Sequence, residues 1–130
     1  MNFQTAVKTG LAKSLDFQGR ASRSEFWWFQ LFPVLLILLL VAIYRVAPST
    51  GPAVGTASAV LYLVLYVPLL SASVRRLHDR NRSGWHILWS FAPFFGGLVL
   101  LIWFCMRGTP GENRFGPDPL PMTGAVAEVF

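Results

Sequence analysis

The sequence predicts an all-α integral membrane protein, a single membrane domain over residues 1–120 with a flexible tail over 121–130, and three observations carry that prediction. Apolar runs without a formal charge cover residues 26–44, 57–74 and 85–106. Hydrophobic residues make up 54% of the chain and charged residues 13%, about half the charge of an ordinary soluble domain. Arginines crowd the ends of the runs, most densely in Arg75-Arg76-Leu77-His78-Asp79-Arg80-Asn81-Arg82. A soluble chain of this size would leave a large aggregating apolar patch. At a membrane boundary the same cations sit at the headgroups and hold the adjoining helices in depth.

The net charge of +5 and pI near 10.2 suit anionic partners. Because the basic residues gather at run ends rather than along one polar helix face, anionic lipid headgroups are the expected phosphates and nucleic acid is not. The single cysteine, Cys105, lies inside an apolar run, so no internal disulfide is expected.

Over Met1–Leu15, Phe3, Val7, Leu11 and Leu15 recur every four residues with Lys8 and Lys13 elsewhere on the wheel. That spacing predicts a short amphipathic helix at the interface. A cleavable signal is not expected, because the apolar run begins only at Phe26 and follows a long basic segment. A turn over Asp16–Ala21 leads to Ser22-Arg23-Ser24-Glu25, which reads as a capping box. In it Ser22 accepts from an amide one turn in and Glu25 reaches back to the Ser22 amide.

The first span, Phe26–Tyr44, reaches roughly 28 Å at 1.5 Å per residue, with Trp27, Trp28 and Tyr44 near its ends as an aromatic belt requires. Pro33 is a predicted kink. Residues 45–56, rich in proline and glycine, read as a loop. The second span, Ala57–Val74, carries Pro68 as another predicted kink. Near its end Ser71-Ala72-Ser73 is a small-residue patch suited to close helix packing.

Ser83 is a candidate N-cap for the third segment, Trp85–Met106. Ala92-Pro93-Phe94-Phe95-Gly96-Gly97 interrupts it: Pro93 removes a backbone donor and the paired glycines weaken the helix at the same depth. Two arrangements follow, one spanning helix or a hairpin of two half-length arms. Beyond it, Arg107–Pro119 is too rich in glycine and proline for a helix and reads as a loop.

Sidedness follows from the basic residues. Three full spans with the N-terminus inside place Lys8, Lys13, Arg20, Arg23, Arg75, Arg76, Arg80 and Arg82 inside, and Arg45, Arg107 and Arg114 outside. A hairpin returns Arg107 and Arg114 to the inner side. Both counts favour a cytoplasmic N-terminus. Three full spans are the default expectation, because an exposed hairpin turn needs protein cover for its backbone groups, which so few helices supply only in a homo-oligomer.

Three stretches carry a resemblance. They are Phe17-Gln18-Gly19-Arg20-Ala21-Ser22-Arg23-Ser24-Glu25-Phe26-Trp27, then Arg75-Arg76-Leu77-His78-Asp79 with Ser83-Gly84-Trp85, then Gly108-Thr109-Pro110-Gly111-Glu112-Asn113-Arg114-Phe115-Gly116-Pro117-Asp118-Pro119. In that order they resemble the small bacterial inner-membrane proteins grouped as domain of unknown function 805. Asn81 stands where that family commonly has glycine, and His86 where a second tryptophan is common. The resemblance implies a bacterial inner-membrane location and brings no reaction, ligand or catalytic residue.

No constellation rises to a catalytic or metal site, and no cofactor is expected. On a helix continuing from the second span, Asp79 can pair with Arg75, Arg76 or Arg82. The cluster then reads either as a headgroup collar ordered by the acid, or as an acid facing a ligand phosphate or a translocated ion. His78, His86 and Asp79 match no standard zinc spacing. Ser22, Ser24 and Ser83 lie in no nucleophile-elbow pattern, and helix capping accounts for them. If the third segment turns back, Arg20, Arg23, Glu25, Arg75, Arg76, His78, Asp79, Arg82, Asn113, Arg114 and Asp118 form the candidate polar or headgroup site on one membrane face. The expected function is a membrane interaction or accessory protein without enzymatic activity. It would use this arginine-rich face on anionic lipid, on a membrane-protein partner or in a homo-oligomer. The alternative is a small oligomeric transporter or channel subunit with Pro33, Pro68 and Pro93 bending around a path.

Overall fold

The computed structural model describes residues 2–120; the tail expected over 121–130 lies outside them. Four α-helices follow in order, α1 (Phe3–Ala12), α2 (Arg23–Val46), α3 (Gly51–Asp79) and α4 (Gly96–Cys105), and no strand is present among the described residues. Two of them, α2 and α3 with its leading turn, are long and apolar enough to cross a membrane. Only 11% of each apolar window is buried, which separates them from the core helices of a soluble protein.

The two helices pack as an antiparallel pair joined by a connection much shorter than the predicted loop over 45–56. After Ala47 a 3-10 turn over Pro48–Thr50 leads directly into α3, with Pro52 in its first turn. A proline is tolerated there because the amide it lacks would have no helical partner anyway. Helix therefore continues where the density of glycine and proline suggested a loop. Pro33 and Pro68 both lie inside continuous helices, buried against the pair. The uncharged part of α3, Gly51–Val74, already reaches roughly 36 Å. The hydrocarbon core is about 30 Å thick, so Arg75–Asp79 stands beyond it.

α1 forms as predicted, capped by Asn2, whose side chain accepts from the Thr5 amide at 2.8 Å. The face that packs on the protein is a different one from the apolar stripe expected to meet the acyl boundary. Ala6 and Gly10 are buried, while Leu11 and Leu15 of the expected stripe are exposed. Packing decides this: a Cβ at Gly10 would lie 2.6 Å from the Phe29 ring, so the small residues let α1 lie flat against α2. The small patch on α3 packs inside the protein, where buried Ser71 donates to the carbonyls of Lys13 (2.9 Å) and Asp16 (2.6 Å).

The third apolar segment is the main correction to the three-span default. A 3-10 helix over Gly84–Phe91 is followed by a turn at Ala92–Phe95 and then by α4. Ser83 occupies the N-cap position but makes no capping bond to the backbone. Gly84 lies against Val74, and at the other end of the segment the Met106 carbonyl accepts from Arg76 Nη2. Both ends therefore meet the same end of α3, and the segment is a hairpin. The physical reason is local: Pro93 has no amide to give, and Phe94 takes a left-handed φ of 71°, which reverses the chain.

Candidate functional site

Three separate segments converge on the last turn of α3: the turn before α2, the N-terminus of α2, and the strap over 107–119. Ser22 caps α2, its hydroxyl accepting from the Glu25 amide at 3.2 Å. The reciprocal half of the predicted capping box is not made among the described residues. The Glu25 carboxylate accepts from Arg75 Nη1 at 2.6 Å instead, a pair between α2 and α3 with both side chains buried. A buried guanidinium needs a counter-charge more than a helix start needs a second cap.

At the centre lies Asp79, its side chain 4% exposed, held between two guanidiniums. Arg20 donates through Nε to Oδ1 at 3.0 Å, and Arg76 Nη1 pairs with Oδ2. Of the partners expected from helical spacing, Arg76 is used, while Arg75 turns to Glu25 and Arg82 lies over the Trp103 ring at 4.2 Å. Each central guanidinium also satisfies carbonyls at chain ends and turns. Arg20 donates to Gly111 (2.6 Å) and Thr109, and Arg76 to Phe104 (3.1 Å), Ala21 (3.4 Å) and Met106. These carbonyls belong to glycine-rich or helix-terminal backbone without regular partners, which is the inventory a five-donor fork can answer. Burial pushes the Asp79 carboxyl up, with the two arginines opposing it, and lowers Arg76 to about 10, which leaves the guanidinium charged at neutral pH.

The strap closes over this centre. The Thr109 amide donates to the Asp79 carbonyl at 2.6 Å, and Gly108 lies so close that a Cβ there would overlap the Asp79 carboxylate. Asn113 Nδ2 donates to the His78 carbonyl at 3.0 Å. The His78 ring stacks on Phe115, centroids 4.0 Å apart, and its Nδ1–H donates to Gly19 at 2.9 Å. Burial pushes the His78 pKa down, so the ring is neutral at neutral pH. Asp118 holds the strap's own turns, accepting from the Gly111 and Leu120 amides, both at 2.9 Å, and lies 4.0 Å from Arg20.

The candidate residues are thus brought to one end of the helix pair, in two layers. Arg20, Glu25, Arg75, Arg76, His78 and Asp79 are buried. Arg23, Arg82 and Arg114 form a rim with Arg80. Their contacts are the carbonyls of Cys105, Arg107 and Asn81, the Met106 sulfur and the faces of Trp103 and Phe115. None of the four pairs with a carboxylate among the described residues. The collar reading needs correcting here: Arg75, Arg76 and Asp79 face inward, not toward headgroups. Gly108, Thr109 and Phe115 complete the site and were not among its predicted members. The sequence signals for them were the glycine density after Arg107 and their place in the third stretch that carries the resemblance.

A family model described as "Protein of unknown function (DUF805)" matches residues 14–117, which takes in the turn before α2, the N-terminus of α2 and the strap up to Pro117. The chain is 36% identical over 110 residues to Inner membrane protein YhaH of Escherichia coli (strain K12), covering 84% of this chain and 91% of that protein. It is 39% identical over 109 residues to Inner membrane protein YhaI of the same strain, covering 84% and 90%. Uncharacterized protein YiiR, also of that strain, is 31% identical over 129 residues, covering 79% and 85%. No solved structure matches significantly.

Proposed function

This chain belongs to the DUF805 family, and on that premise we propose that it is a non-catalytic interaction protein of the bacterial inner membrane whose arginine rim engages anionic lipid headgroups. The observation that carries this reading is the division of labour among the arginines. Arg20, Arg75 and Arg76 are spent on Asp79 and Glu25, whereas Arg23, Arg80, Arg82 and Arg114 have no carboxylate partner among the described residues. The inner layer builds the cap and the outer layer leaves positive charge beside the membrane surface. An arginine there gains about 1 kcal/mol on an anionic leaflet.

The test compares full-length protein in nanodiscs of phosphatidylcholine with and without phosphatidylglycerol. Replacing the four rim arginines by glutamine is expected to lower retention of phosphatidylglycerol at least tenfold, whereas lysine replacements keep it, since the gain of about 1 kcal/mol per residue follows charge. Equal retention by the glutamine variant would reject the proposal. The transporter or channel alternative needs Asp79 to face a path. Its carboxylate lies under Gly108 between two guanidiniums, which favours the interaction reading.

The cap, and with it the N-terminus, faces the cytoplasm in this proposal. With the hairpin, ten of the 11 basic residues belong to segments at the cap end and Arg45 alone to the other. That asymmetry is the one the positive-inside rule rewards. Reporters active only in the cytoplasm or only outside it, fused after Pro119, are expected to give signal from the cytoplasmic one. Signal from the external reporter would reverse the orientation.

A further inference from the structure

We propose that two copies of this chain pair side by side in the membrane, each inserting its hairpin turn into the other's groove between α2 and α3. The argument begins with depth. The 3-10 arm, Gly84–Phe91, rises about 16 Å at 2.0 Å per residue. The ten residues of α4 return about 15 Å at 1.5 Å per residue. The turn therefore stands half-way into a hydrocarbon core of about 30 Å.

Its backbone is not fitted for lipid. The amides of Phe94, Gly97 and Leu98 and the carbonyl of Phe94 make no hydrogen bond among the described residues, and Phe94 is fully exposed. Acyl chains offer neither donors nor acceptors, so irregular backbone at this depth is tolerated only where protein or a water-filled cavity covers it.

A second polar anomaly lies at the same height. Tyr62 and Tyr66, their rings 5.7 Å apart, are 67% and 51% exposed on α3, and neither hydroxyl has a partner among the described residues. Both line a groove of about 740 Å³ bounded by Pro33 and Ile37 of α2 and by Leu88 and Phe91 of the hairpin. Counting back from Val74, Tyr66 stands about 12 Å and Tyr62 about 18 Å into the membrane, on either side of the turn's height. A two-fold axis along the membrane normal keeps every group at its own depth, so one copy's turn meets the other copy's tyrosines. The hydroxyls then accept from the free amides and donate to the Phe94 carbonyl, and the fully exposed Phe94 ring enters the apolar groove. The same axis keeps both arginine rims on one membrane face.

The experiment uses full-length chains in vesicles at high dilution in lipid, in a Cys105→Ser background. A chain carrying Phe94→Cys mixed with one carrying Tyr62→Cys is expected to form a disulfide-linked dimer under a membrane-permeant oxidant. Either variant alone is expected to give much less. Energy transfer between donor- and acceptor-labelled chains, with the tyrosines otherwise intact, reports the association itself. The double variant Tyr62→Phe, Tyr66→Phe keeps both rings and is expected to weaken association about tenfold, in keeping with intramembrane hydrogen bonds. Absence of energy transfer would mean that lipid or water covers the turn and would overturn the proposal. Association without the mixed cross-link, or unchanged in the phenylalanine variant, would overturn it equally.

Discussion

Replacing Asp79 by alanine is expected to destabilise the folded chain by about 3–5 kcal/mol, the cost of removing one partner from a buried ion pair and stranding the other. Here two buried guanidiniums lose their carboxylate, Arg76 (0% exposed) entirely and Arg20 (1% exposed) keeping only Asp118 at 4.0 Å. They hold the strap and the end of α4 through carbonyls, so the loss spreads to Thr109, Gly111, Phe104 and Met106. Reversible unfolding in mixed micelles, followed by tryptophan fluorescence, measures it. Asp79→Asn, which keeps an acceptor but not the charge, is expected to fall between the two. A loss below about 1 kcal/mol for the alanine variant, the figure for an exposed ion pair, would show that the carbonyls alone satisfy the arginines.

Gly108→Ala is expected to lift the strap from α3. The added methyl group has to displace the Asp79 carboxylate, which the two arginines hold in place, and overpacking a rigid site costs about 1–3 kcal/mol. The local readout is amide exchange at Thr109, whose N–H donates to the Asp79 carbonyl at 2.6 Å. A loss of about 1.4 kcal/mol in strap docking makes that exchange tenfold faster. Gly55→Ala is the control, since a Cβ there meets nothing within 4 Å. Thr109 protection equal to that of the control would mean the strap is held elsewhere.

Much of the helical plan was legible because it rests on short-range signals. Ser22 announces the start of α2, and the absence of charge over 26–44 and 57–74 identifies the two long helices. The connection between them was misread because Pro48, Gly51, Pro52 and Gly55 look like a loop by composition, although prolines at a helix start cost little. On α1 the stripe for the acyl boundary was legible, and the face packed on the protein was not. Hydrophobic spacing favoured Leu11 and Leu15, yet closest approach to α2 selected Ala6 and Gly10. The candidate site was legible as a set of residue types, and less so as a set of partners. Spacing on α3 allowed Asp79 three arginines, and the partner it could not supply was Arg20, 59 positions away.

A helical membrane protein with its charged residues gathered at run ends is legible from composition and periodicity. Apolar length, capping residues and charge density act over a few residues and need no fold to be read. That the segment 84–105 turns back and that the strap lies on α3 came from long-range packing. It also decided which arginines face inward. Those outcomes depend on buried charges finding counter-charges and carbonyls across long sequence separations. A guanidinium moved out of water takes whatever partners the packed helices bring to it, and no local pattern records which they are.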